Sequence, residues 1–183
     1  MSLTINEIFF KNVYVLSPKT YTDNRGSFFE SWNKKTFSEL LNVNYEFVQD
    51  NHSISAEGTL RGLHYQFPNP QGKLVRVING EIYDVIVDIR QSSSTFGQWR
   101  GVNLSSDNMR QIWIPPGFAH GFLALSSKAE VLYKTTEQRY EKSEKTIIWN
   151  DKEISIKWPL TKNLIISNKD MKGIAFKKAQ YFE

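Results

Sequence analysis

The chain has 183 residues and no cysteine. That excludes disulfides, thiolate metal sites and a cysteine nucleophile, and it fits a reducing compartment. No stretch approaches the roughly 20 apolar residues of a membrane helix, so no membrane span is expected. The first residues, MSLTINEIFF, lack the positive start and long apolar run of a secretory signal. An excess of one charge is also missing. The net charge is only +4, and the lysines are scattered apart from Lys34–Lys35 and Lys177–Lys178. This reads as a solvated surface, with attraction of an anionic small ligand as the weaker alternative. There is no basic stripe, so no nucleic-acid partner is expected. What remains is a core-forming composition, 40% hydrophobic and 14% aromatic, which argues against disorder. No repeat, low-complexity tract or linker divides the chain, so one domain over 1–183 is expected.

Strand signals dominate. KLVRVINGEIYDVIVDIR, residues 73–90, reads as two β-runs around Asn79-Gly80, a hairpin signal. In the second run Tyr83, Val85, Val87 and Ile89 share one face, and Asp84, Asp88 and Arg90 the other. Further short runs lie near Gln98–Leu104, Arg110–Ile114, Phe122–Leu125 and Glu130–Thr136. Such spacing predicts an all-β jelly-roll barrel. Helices are few. A capping box of Thr36 and Glu39 predicts a short helix near 34–42, with Phe37, Leu40 and Leu41 as its apolar face, and a second begins at Ser167.

The chemistry-bearing residues cluster in QDNHSISAEGTLRGLHYQ, residues 49–66, with Lys73 just beyond. His64 offers an imidazole, the side chain best suited to accepting a proton at physiological pH. A core histidine is the competing reading, weakened by the flanking Arg61 and Lys73. In a regular strand Arg61 and His64 face opposite ways. Both reach one site only if the strand bulges or twists, and Gly62 is where that costs least. His120 sits among small residues in IPPGFAHGFLALS, residues 114–126, as a site residue or a structural one in a tight turn. Tyr133 shares a strand face with Val131 and Thr135. It is either a core tyrosine or a phenol able to return a proton to a carbanion. Asp170 either caps a helix with Ser167 or orients a histidine. Arg25, in the turn DNRG, is either solvated or set to bind phosphate bidentately. A catalytic metal is not expected. Jelly-roll metal sites usually use a His-x-His pair, and here the second position of His64-Tyr65-Gln66 is glutamine.

Beyond these residues, the segments DNRGSFFE, QDNHSISAEGTLRGLHYQ, QGKLVRVINGEIYDVIVDIR, STFGQW, IPPGFAHGFLALS, YKTT, WND, IKWP and ISNKD stand in one order. Together, over about residues 8–172, they resemble the dTDP-4-dehydrorhamnose 3,5-epimerase family. The resemblance implies a cupin-like double-stranded β-helix, free of metal and cofactor, acting in the cytoplasm as a homodimer on a dTDP-linked 4-keto-6-deoxyhexose. It implies His64 as base, Asp170 as its orienting carboxylate, Tyr133 as opposing acid and Lys73 as the cation on the enolate oxygen. Arg61 and Arg25 would hold the diphosphate. Gln49, Asn51, His120 and Lys169 would line the sugar and phosphate region. Phe28 and Glu30 would contact the thymidine across the dimer interface.

One segment departs from the family pattern. After YKTT the family commonly carries aromatics and then a proline, whereas this chain reads Glu137-Gln138-Arg139-Tyr140-Glu141. Either Tyr140 stacks on the base from a shifted position, or Arg139 does so through its guanidinium plane. The rival functions are an epimerase acting at C3 or C5 alone, a non-catalytic sugar-nucleotide-binding barrel and a metal-dependent oxygenase.

Overall fold

The computed structural model describes residues 2–160 and 162–183. Strands β1 (Leu3–Phe9), β2 (Val13–Pro18), β3 (Thr20–Asp23) and β4 (Gly26–Phe29) precede helix α1 (Lys34–Leu41). Then come β5 (Gln49–Ala56), β6 (Thr59–Gln66), β7 (Lys73–Asn79), β8 (Glu81–Asp88) and β9 (Trp99–Ser105). They are followed by β10 (Gln111–Ile114), β11 (Phe118–Ala124), β12 (Lys128–Thr135), β13 (Glu144–Thr146), β14 (Ile165–Ile166) and helix α2 (Asn168–Met171). One sheet has the order β1-β2-β10-β7-β12-β5 and the other β13-β6-β11-β8-β9, with β14 added parallel to β6. From β5 to β8, and again from β10 to β13, successive strands fall in alternate sheets. This is the jelly roll that the strand pattern predicts, in the cupin-like form that the resemblance implies.

Three apolar clusters hold the fold. Between the sheets, Val75, Val77, Ile112, Ile114 and Val131 meet Ile82, Ile86, Leu104, Phe118 and Phe122. Each such fully buried side chain contributes about 1.5–3 kcal/mol. Behind the second sheet, Leu60, Leu63, Val85, Val87 and Ile89 pack on Ile154, Trp158 and Phe176 of the C-terminal stretch. Strand β8 is therefore buried on both faces, with Ile82 and Ile86 on one and Val85 and Val87 on the other. Outside the first sheet, Phe37 and Leu41 of α1 cover Leu16, Leu74 and Trp113. The Phe37 ring stands edge-on to Trp113 at 5.3 Å.

Two local expectations need correction. Asn79-Gly80 does form a turn, with Gly80 at φ +80°. It is not a hairpin, however. β7 pairs with β10 and β12, while β8 pairs with β9 and β11. Both strands carry apolar residues on both faces and find their partners elsewhere, so the turn is a corner leading from one sheet to the other. A side chain at position 80 would drive its Cβ to 2.1 Å from the Lys128 carbonyl oxygen, so glycine is required. Helix α1 is capped by Asn33, whose side chain accepts the Thr36 N–H at 3.1 Å. Thr36 thus lies inside the helix, and the Thr36–Glu39 capping box does not form.

Candidate active site

The strand β6 is irregular where the sequence allows it to be. His64 pairs with His120 and Arg61 with Phe122, so two residues of β6 lie opposite the single Gly121 of β11. This is the bulge that Gly62, at φ +123°, makes affordable. A Cβ on Gly62 would meet the Gly121 Cα at 2.6 Å. The bulge resets the alternation. Leu60 and Leu63 go to the apolar cluster behind the sheet, and Arg61, His64 and Gln66 all line one cavity of about 220 Å³.

His64 gives Nε2 to Asp170 Oδ1 at 2.6 Å. The carboxylate arrives from α2, where Ser167 caps the Asp170 N–H at 3.1 Å. The two readings of Asp170 are thus compatible. Its backbone is capped, and its side chain is free to turn to His64. Burial pushes the Asp170 carboxyl up, but His64, the Gly62 N–H and Ser167 outweigh this and hold it below the usual range. An ionised Asp170 accepts the Nε2 proton, which leaves the lone pair on Nδ1. A second pair lies in register with the first: His120 Nε2 meets Asp84 Oδ2 at 2.8 Å.

The opposite sheet supplies Tyr133 from β12, Lys73 from β7 and Gln49 and Asn51 from β5. Burial raises the Tyr133 phenol above its ordinary range despite Arg61 nearby, so it holds its proton at neutral pH. Burial lowers Lys73 to about 8, against the pull of Asp84 and Glu144. Its Nζ lies 3.4 Å from the His64 carbonyl oxygen, beside the imidazole-bearing strand. Arg61 is steadied by the Ser55 hydroxyl at 3.1 Å and the Ile54 carbonyl at 3.3 Å. A proton acceptor on one sheet thus faces a proton donor on the other, with cations in the same cavity. Among the described residues, no three or more His, Asp or Glu are grouped to hold a metal ion.

A family model described as dTDP-4-dehydrorhamnose 3,5-epimerase matches residues 7–178. The chain belongs to the dTDP-4-dehydrorhamnose 3,5-epimerase family. It is 54% identical over 172 residues to the Shigella flexneri protein of that name, covering 93% of this chain and 94% of that one. A Legionella pneumophila dTDP-6-deoxy-D-glucose-3,5-epimerase, solved in complex with dTDP-4-keto-L-rhamnose, superposes with a TM-score of 0.94 at 46% identity, covering 97% and 95%. A Bacillus anthracis dTDP-4-dehydrorhamnose 3,5-epimerase, solved with TDP and PPi bound, gives 0.91 at 48%, covering 94% and 99%.

Of the residues expected in this epimerase site, His64, Lys73, Tyr133, Arg61, Gln49, Asn51, His120, Arg139 and Lys169 all line the cavity, and Asp170 stands behind His64. Arg25, Phe28 and Glu30 do not. They lie on the β3–β4 hairpin and just beyond it, where Arg25 is paired with Asp23 and Phe28 is 72% exposed. The 139-or-140 alternative is also resolved in position: Arg139 lines the cavity and Tyr140 does not. The segment is strapped down from within the site. Gln66 takes the Tyr140 N–H at 2.7 Å and gives its amide to the Gln138 carbonyl at 3.1 Å, while Gln49 accepts the Arg139 N–H at 3.0 Å.

Sequence reasoning missed Asp84 as the partner of His120, and missed Glu144 altogether. Asp84 did carry a signal, as a carboxylate inside an apolar strand. Glu144, in a run of Glu and Lys, carried none. Its carboxylate is bound by Arg139 through Nε at 2.6 Å and a terminal nitrogen at 3.2 Å, and by Lys169. The Arg139 guanidinium, with Lys169 beside it, outweighs burial and holds Glu144 down to about 2.

Proposed function

We propose that this cavity inverts both carbons flanking the ketone of dTDP-4-dehydro-6-deoxy-D-glucose, yielding dTDP-4-dehydro-L-rhamnose. The C4 carbonyl acidifies the hydrogens at C3 and C5. His64 Nδ1 takes one of them, and the imidazolium that forms is stabilised by Asp170. The electron pair moves onto the C4 oxygen, where the Lys73 ammonium stabilises the enolate. Tyr133 then gives its proton to the opposite face of the carbon, and the ketone re-forms with that centre inverted. The imidazolium then gives its proton to solvent and the Tyr133 phenolate takes one back, so that the cycle can repeat at the other carbon. Arg61 and Lys169 hold the diphosphate, and Gln49, Asn51 and His120 surround the sugar. The observation that carries this reading is the placement of His64, backed by Asp170 from α2, on one sheet and of Tyr133 on the other, with His64 and Tyr133 lining one cavity.

We further propose that the whole chain works as one domain in a cytoplasmic homodimer. In that dimer Arg25, Phe28 and Glu30 of one protomer reach the nucleotide in the other. The support is that these side chains are absent from their own cavity, and that Phe28 is a large apolar group left in solvent.

The deciding experiment is NMR of dTDP-4-dehydro-6-deoxy-D-glucose with the protein in deuterated water, with the product trapped by a reductase. Deuterium at C3 and C5 with an L-rhamno product is expected. Label at one carbon would replace this reading with a single-centre epimerase, and no label would leave only binding. Tyr133→Phe sharpens the assignment. It should reduce inversion about 10²-fold while proton exchange at the same carbon persists. Equal loss of both would remove Tyr133 as the acid.

A further inference from the structure

We propose that Glu144 is a built-in competitor for the substrate's diphosphate: it holds Arg139 and Lys169 in the free protein, and the incoming phosphates take these cations from it. The inference rests on the reading of the cavity as a sugar-nucleotide site and goes beyond it by assigning a residue that sets nucleotide affinity.

Three observations converge. Glu144 lines the same cavity as His64 and Lys73, so an ionised carboxylate stands inside a site meant for a dianion. That placement would repel the ligand unless the charge is matched elsewhere. It is matched by the two cations on it, one from the 136–140 segment and one from α2. The geometry of the match is itself phosphate-like. Arg139 meets the two carboxylate oxygens with Nε and a terminal nitrogen, the fork that guanidinium offers equally to carboxylate and phosphate. Finally, the cations are the more exposed partners. The side chains of Arg139 and Lys169 are 57% and 51% exposed, against 22% for Glu144. The carboxylate stays on β13, fixed opposite Gln66 of β6, while the two long side chains can swing from it to a ligand.

The consequence is a moderated affinity. Binding exchanges one set of ion pairs for another instead of creating new ones, so part of the phosphate attraction is spent on releasing Glu144. Such a site binds nucleotide diphosphates less tightly than its cations alone would, and product leaves more readily.

The test is isothermal titration of the full chain with dTDP at two salt concentrations. Glu144→Gln is expected to tighten dTDP about threefold to fivefold, the scale of a partly exposed ion pair, with a steeper salt dependence. The KM for the sugar nucleotide falls in parallel. Glu144→Asp keeps the charge but shortens the reach, and it gives a smaller tightening in the same direction. In an Arg139→Gln, Lys169→Gln background the gain from Glu144→Gln disappears, because there are no cations left to release. Unchanged or weaker dTDP binding by Glu144→Gln overturns the proposal. So does a gain that persists without Arg139 and Lys169, which would mark a long-range field and no exchange. Glu144→Asp, with circular dichroism on each variant, keeps the test open if Glu144→Gln folds poorly. Failure of the unaltered chain to bind dTDP would overturn the underlying reading, and the inference with it, before any variant is compared.

Discussion

His64 and His120 stand directly opposite each other on β6 and β11, and each gives Nε2 to a carboxylate. By residue type the two pairs are the same device, and their surroundings separate them. The His64 side chain is 38% exposed and that of His120 is 9%. Asp170 comes from a short helix after the barrel strands, and both its oxygens are used, on His64 and the Gly62 N–H. Asp84 comes from the neighbouring strand β8 and is fully buried, and among the described residues its Oδ1 makes no hydrogen bond. A base must touch a carbon-bound hydrogen, which requires an open imidazole held in one tautomer. His64 meets that requirement. His120, closed in by the strand and its carboxylate, is suited to holding a ligand or shaping the floor.

The largest expected difference comes from removing the open histidine. His64→Ala should lower kcat/KM by about 10³-fold or more, with dTDP affinity nearly unchanged, because the imidazole serves the proton and not the nucleotide. Steady-state kinetics with calorimetric titration would separate the two. Residual turnover within tenfold of the parent would exclude His64 as the obligatory base. Next in size is Asp170→Asn, expected to cost about 10²-fold in kcat with little change in KM. The amide keeps the shape but cannot stabilise an imidazolium. A change confined to KM would make Asp170 a part of the binding surface instead.

Much of this contrast was legible in the sequence. The strand content, the short helix and the convergence of Arg61, His64 and Lys73 all follow from local pattern, and Gly62 marked the bulge before any geometry was known. Pairing was not legible. Asn79-Gly80 has the chemistry of a hairpin, but whether a turn folds a strand back or carries it to the facing sheet depends on partners elsewhere in the chain, from β9 to β12. The Asp84–His120 pair depends on the same long-range registry. Glu144 was hidden for another reason. A glutamate in a charged run gives no periodic signal, and only the closing of β13 onto β6 brings it into the cavity. That Arg25, Phe28 and Glu30 lie away from the cavity was not legible either, because no local pattern tells how far the β3–β4 hairpin sits from the barrel interior.

Lys73 gives the comparison a pH axis. As its ammonium is lost above about 8, enolate stabilisation goes with it, so log kcat/KM should fall toward a slope of −1 beyond that pH. Stability should move the other way. The folded pKa lies below the unfolded value, so the folded state binds fewer protons between about 8 and 10.5, and the Lys73 contribution to stability rises with pH across that window. A pH–rate profile paired with urea midpoints reads both signs. A flat profile through pH 9 would mean that another group neutralises the enolate.

The smallest effect is expected at the closed pair. Asp84→Asn still accepts the His120 Nε2 proton, so kcat at pH 7 should fall less than about tenfold. Its charge is another matter, since Asp84 is the leading influence holding the Lys73 pKa up against burial. Without it the ammonium is lost earlier, and the alkaline limb of the profile should move to lower pH. Asp170→Asn offers the control, because Asp170 is not among the groups that set Lys73. A limb that moves in Asp84→Asn and stays in Asp170→Asn would give the two pairs separate roles, one tuning the cation and the other serving the base. Equal shifts, or none, would mean that the Asp84–His120 pair acts only by packing.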